Sequence, residues 1–225
     1  TIPFISKVNN IPYAKLAAQI ACGKKIKDLK LKTIKTNLMA VKKPVFPFNK
    51  FPDQKIFLSP EMRSTGEVIG FDSQLGSAYA KAELGAGNIL ALKGTCFVSV
   101  NDYDKNKIIQ IVRDLEEMDF DFIATEGTSK LLNDNGLDVK SIYKVGEGRP
   151  HVVDEIKNNS ISMIINTPLG SQSRFDEYKI GQAAIKYSIP VITTLSAAKA
   201  AVRAIRLVKN NQLSYVSLQD IFNNK

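Results

Sequence analysis

The sequence predicts an α/β protein whose larger part is a five-stranded, mainly parallel, doubly wound sheet, preceded by a less regular segment. Three observations predict it. From residue 73 onward, short apolar runs alternate with stretches of helical periodicity, the pattern of a parallel sheet covered on both faces. The net charge of +9 is unevenly held: residues 1–72 carry 13 Lys/Arg against 5 Asp/Glu, whereas residues 73–225 carry 18 against 17. The first part is also punctuated by prolines and offers little core, so a boundary is expected near residue 72.

In chain order, Ile11–Ala21 reads as a short helix, with Pro12 near its first turn and Gly23 after its end. A lysine-rich stretch follows from Lys24 to Lys43, then the run Lys43-Pro-Val-Phe-Pro-Phe-Asn-Lys-Phe-Pro52. Proline removes a ladder donor, so Val45–Phe51 can be only an edge strand or an extended segment. Phe46, Phe48, Phe51 and Phe57 need a packing partner that this segment does not supply, as expected of the tail of a larger domain. Beyond residue 72 come helix 75–84, strand 95–100, and helix 104–118 with Ile108, Ile111, Val112, Leu115 and Met118 inward. Strand 120–124, helix 129–135, strand 141–145, helix 150–157 and strand 162–166 continue the alternation. Helix 176–187, strand 190–194 and helix 196–209 complete it.

Composition excludes several classes. Apolar content of 44% and charged content of 24% are those of an ordinary globular chain. No apolar run reaches a membrane span and no signal-peptide layout is present, so no membrane partner and a cytoplasmic location are expected. One histidine and two cysteines, Cys22 and Cys96, cannot build a His/Cys metal site, and the cysteines read as reduced, packed thiols. The N-terminal lysines read as a solvated face, with no nucleic acid as partner.

In doubly wound sheets, ligands bind beyond the carboxyl ends of the strands, where the strand order reverses. The residues at those ends are Ser99 with Lys105 beyond it, Thr125-Glu-Gly-Thr128, Lys144, Asn166, and Thr193-Thr194. Hydroxyls and an amide supply directional hydrogen bonds, and lysines supply charge, which together suit a phosphate. Gly127 would let the backbone turn and come close to the ligand, and the helix after it would present its first N–H groups. Ser, Thr and Asn at such ends also serve as ordinary helix caps, but caps do not explain Lys105 and Lys144 at the same rim. Glu126, inside an anion-binding turn, should weaken it unless its side chain points away. No paired carboxylates and no nucleophile–base spacing emerge, so the site reads as a sensor rather than a catalyst.

Several motifs carry a family resemblance: Thr1-Ile-Pro-Phe-Ile-Ser-Lys7, Pro47-Phe-Asn-Lys-Phe-Pro52, Glu61-Met-Arg-Ser-Thr-Gly-Glu-Val68, Ala80-Lys-Ala82, Ala124-Thr-Glu-Gly-Thr128, Glu147-Gly-Arg-Pro-His151 and Ile164-Ile-Asn-Thr167. In this order they resemble the C-terminal end of the carbamoyl phosphate synthetase large subunit, nearly end to end. The resemblance implies that residues 1–72 close the second ATP-grasp domain and its linker, and that residues 73–225 form a methylglyoxal-synthase-like regulatory domain. It implies a whole enzyme that makes carbamoyl phosphate from bicarbonate and glutamine-derived ammonia, for pyrimidine and arginine synthesis. That enzyme uses ATP with Mg or Mn and a glutaminase small subunit as partner. The ATP and metal residues would lie before Thr1, which implies no cofactor and no catalytic residue in this portion.

The same resemblance implies a UMP or IMP effector, its phosphate held by Ser99, Lys105, Thr125, Thr128, Lys144 and Asn166. Ornithine-activated members carry an acidic residue at the position of Lys43, where the charge here is reversed. That argues against ornithine control, while Thr193 remains a candidate for a second effector site. True methylglyoxal synthases carry a catalytic aspartate in a Gly-Gly-Asp segment, and the matching Asn166–Arg174 has none. This argues against the alternative, a free-standing phosphate-handling lyase.

Overall fold

The computed structural model describes residues 1–31, 37–46, 66–169 and 171–223. Helices α1 (Ile2–Asn9) and α2 (Tyr13–Ala21) open the chain, and a 3-10 turn follows at Ile26–Leu29. Strands β1 (Met39–Val45) and β2 (Gly66–Asp72) pair antiparallel as a separate ribbon, with Lys43 opposite Val68. The extended segment expected at Val45–Phe51 meets β1 only at Val45; the strand lies earlier. Residues 47–51 and Phe57 lie outside the described residues. Pro44 stands opposite Glu67 in this pairing.

Next come α3 (Leu75–Gly85), β3 (Gly94–Val100), α4 (Lys105–Glu116), β4 (Phe120–Thr125) and α5 (Glu126–Asp134). They are followed by β5 (Val139–Ile142), α6 (Val152–Lys157), β6 (Met163–Thr167), α7 (Ser171–Lys186), β7 (Val191–Ile192), α8 (Leu195–Lys209) and α9 (Leu218–Asn223). The five strands from β3 to β7 form one sheet in the order β5-β4-β3-β6-β7, and every pairing is parallel. Strand order therefore reverses between β3 and β6, which fixes where a ligand crevice opens.

The strand period of two splits the core into two layers. Cys96, Val98, Phe122, Ala124, Met163 and Ile165 face one side, against Ile108, Val112 and Leu115 of α4 and Ala198, Ala201 and Ile205 of α8. Phe97, Ile123 and Ile164 face the other, against Val152 and Ile156 of α6 and Ile180 and Ala184 of α7. Of the two cysteines, Cys96 is the packed thiol expected, whereas Cys22 is exposed. Leu75 is exposed, and α3 is buried through Gly76, Ser77, Ala78, Ala80, Ala82 and Glu83. It packs on β1 and β2 on one side and on α8 on the other. Among the described residues, no helix is long and apolar enough to cross a membrane.

Candidate functional site

Continuing the row of Phe97, Ile123 and Ile164 toward the carboxyl ends gives Ser99, Thr125 and Asn166. The row turns from apolar to polar where the helices stop covering it. Asn166 is the register partner of Ser99, and Ser99 Oγ stands 3.4 Å from Thr125 Oγ1, so three polar side chains stand abreast on the three central strands. Thr128 Oγ1, in the first turn of α5, accepts from Thr125 Oγ1 and from the Val100 N–H, each at 3.4 Å. A cavity of about 780 Å³ opens over them and is lined by all six of Ser99, Lys105, Thr125, Thr128, Lys144 and Asn166. The sequence-based set is thus brought together at the strand-order switch.

The Thr125–Thr128 stretch is not the loop that the sequence suggested. Helix α5 starts at Glu126 rather than Ser129, so Thr125 is the N-cap residue and Gly127 lies in the first turn. Gly127 has no left-handed backbone angle; its lack of a side chain permits approach, for a Cβ there would stand 3.6 Å from Lys105 Nζ. Thr125 makes no side-chain cap, whereas Thr194 does, its Oγ1 accepting from the Ala197 N–H at 3.2 Å. Caps and site hydroxyls, indistinguishable in the sequence, are separated by that contrast. Glu126 is exposed at the helix start, where a carboxylate is favoured by the partial positive charge of the first N–H groups.

Two expected strands are displaced. Strand β5 ends at Ile142, so Lys144 reaches the cavity from the loop beyond it. The Asn133 side chain holds both the N–H and the C=O of Val139, pinning the strand two residues early. Strand β7 is only Val191–Ile192, and Thr193 lies outside the cavity just described. It lines a separate, polar cavity of about 530 Å³ with Asn101, Thr167, Lys107 and Lys199. Lys43 is placed differently again: in β1, its ammonium pairs with Glu83 of α3, which also accepts from Asn88 Nδ2 at 2.9 Å. The charge set against an ornithine ammonium is therefore engaged by a buried carboxylate. Burial, then the neighbouring Glu83, pushes the Tyr79 hydroxyl above its usual range in the same network.

Of the carboxylates of the main cavity, the sequence brought only Glu147 near the site and gave no signal for Asp102 or Asp176. Asp102, Glu147 and Asp176 all line it. Asp176 lies just beyond the Asn166–Arg174 stretch that lacks an aspartate, and because α7 begins at Ser171, five residues before the expected start, it stands within the helix rather than at its first position. Burial, together with Glu147, raises the Asp176 carboxyl above the usual carboxylate range, while Lys179 and Lys144 oppose the shift. A hydrogen bond from Lys105 holds Asp102 below that range. Arg149 and His151 do not join the cavity; both approach Asp154 at the start of α6, at 3.4 and 3.2 Å. Only topology could have brought Asp102 and Asp176 together, since they lie on different elements.

Residues 107–193 match the MGS-like domain family. The chain as a whole is a relative of the carbamoyl phosphate synthase large chain. It is 48% identical over 221 residues to that of Nostoc sp., covering 98% of this chain and 20% of that one. The large chain of Archaeoglobus fulgidus is 46% identical over 98% of this chain and 21% of its own length. The "Carbamoyl phosphate synthase large chain, C-terminal section" of Methanopyrus kandleri is 44% identical over 98% of this chain and 42% of its own. The chain thus spans about a fifth of the length of the full large chains it matches.

Proposed function

We propose that this chain is the C-terminal regulatory portion of a carbamoyl phosphate synthase large chain and binds a nucleoside monophosphate such as UMP or IMP. The observation that carries this reading is the meeting of Ser99, Lys105, Thr125, Thr128, Lys144 and Asn166 on one cavity. Hydroxyls, an amide, the first N–H groups of α5 and two ammonium groups suit a phosphate. The cavity's volume of about 780 Å³ and its apolar wall of Phe97, Val152 and Ile180 leave room for a nucleoside beyond it. In the whole protein, residues 1–72 would close the second ATP-grasp domain. Upstream residues would hold ATP with Mg or Mn and join bicarbonate to ammonia supplied by a glutaminase subunit, in the cytoplasm. The effector would act by binding one state of that assembly better than another.

Titration calorimetry tests the site. UMP or IMP should bind, and Lys105→Ala or Thr128→Val should weaken binding by roughly 10- to 100-fold, the loss of a charge-assisted contact of about 1.5–3 kcal/mol. Wild-type affinity in both variants would place the nucleotide elsewhere. Asp176 favours one other reading, a phosphate-handling lyase, because its raised carboxyl could take a proton beside a bound phosphate. Incubation with dihydroxyacetone phosphate should yield no methylglyoxal; robust turnover would replace the regulatory reading with the lyase.

A further inference from the structure

The two lysines of the cavity already have partners. Lys105 Nζ lies 2.7 Å from Asp102 Oδ1, and Lys144 Nζ lies 3.6 Å from Glu147 Oε1. Each carboxylate stands three residues from its lysine, lines the same cavity, and is well exposed, the Asp102 side chain at 88% and that of Glu147 at 60%. With Asp176, the described residues of the cavity wall include three carboxylates and two ammonium groups. An anion arriving at this cavity therefore finds both lysines already engaged until their pairs open.

Opening them is easy. Water screens pairs this exposed, and holding two long side chains in one geometry costs conformational freedom. The incoming group decides whether the exchange is favourable. A phosphate monoester brings close to two negative charges and three acceptor oxygens, enough to replace both carboxylates and to take N–H groups of α5 as well. A ligand carboxylate exchanges one charge for an equal one and gains little.

We propose that Asp102 and Glu147 are built-in counter-ions of Lys105 and Lys144, displaced by the phosphate of the nucleotide. They hold affinity below what the lysines alone would give, and they set a charge threshold that favours phosphate monoesters over carboxylates. This rests on the nucleotide reading of the same cavity and adds a sign to it. If the carboxylates merely steadied the lysines, removing them would weaken binding; as counter-ions, their removal strengthens it.

The experiment is calorimetric titration of the chain and of Asp102→Asn, Glu147→Gln and the double variant with UMP, IMP and inorganic phosphate. Each single change should tighten binding about threefold and the double change about tenfold, the scale of exposed charge pairs. The factor should be similar for all three ligands, because it acts on the phosphate they share. Affinity that is unchanged or weaker in both single variants overturns the counter-ion role and leaves the nucleotide site standing, since the wild-type chain still binds. Absence of binding in both the wild-type chain and the double variant overturns the nucleotide reading, and this inference falls with it.

Discussion

At Gly127 a missing side chain serves function rather than backbone geometry. Its backbone angles suit any residue, and alanine at a helical position is favoured over glycine by roughly 0.5–1 kcal/mol. A methyl group there would sit 3.6 Å from Lys105 Nζ, an ordinary contact with the mobile end of a side chain. Gly127→Ala should therefore fold at least as stably as the parent chain. It should also bind UMP or IMP several-fold more weakly, because the methyl narrows the approach to the first turn of α5. Thermal melting and calorimetry on the same preparation read both effects. Unaltered affinity would mean that the ligand does not come close to that turn. The neighbouring Thr125, Thr128 and Ser99 make the same point from the other side: their hydroxyls contact each other across three elements instead of capping the helix.

Among the elements, α3 shows most sharply how packing constrains sequence. It is built of small residues because β2 lies against it at backbone distance: a Cβ on Gly70 would stand 1.7 Å from the Ala78 carbonyl oxygen and 2.7 Å from the Ala82 nitrogen. Gly70→Ala should destabilise the chain by at least roughly 1–3 kcal/mol, the scale of overpacking against rigid neighbours. Gly66→Ala, with no described residue within 4 Å of the added carbon, serves as its control. Urea denaturation compares them, and equal midpoints would refute the close packing. Such contacts also explain which elements the sequence revealed. The alternation that builds β3, α4, β4, β6 and α8 was legible because each buries a periodic apolar face in one of two core layers. The start of α5 was hidden by a glycine that usually breaks helices. The register of β5 was hidden because a side chain of α5 sets it. Helix α1, with no buried residue, and α9, tied to β2 through Phe71 and Phe222 with ring centroids 6.2 Å apart, went unforeseen for lack of a strong apolar stripe. The meeting of the six candidate residues on one cavity was legible through topology, since strand ends can be read before any coordinate is known; Asp102 and Asp176 gave no such signal, because nothing in their spacing brings them to one wall.

At the scale of the whole molecule, the boundary expected near residue 72 falls between β2 and α3, inside a packed unit. Lys43 reaches from β1 to Glu83, whose side chain is 5% exposed, and Lys81 of α3 reaches back to Asp72 Oδ2 at 2.7 Å. Cutting the chain at that point would uncover the Ala78–Ala82 face of α3 and strip Glu83 of its cation. The cavity residues all lie between 97 and 180, far along the chain from the cut. A fragment of residues 73–225 should thus melt several degrees below the full chain, each kcal/mol lost lowering the midpoint by about 2–4 °C. Its affinity for UMP or IMP should be unchanged, because no described residue of the first 72 lines the site. Matching midpoints would establish residue 72 as a true domain limit and reduce the β1–β2 ribbon to an appendage. Altered affinity in a fragment that still folds would mean that the N-terminal segment acts on the cavity through α3 and α8, which the direct geometry of the site does not require.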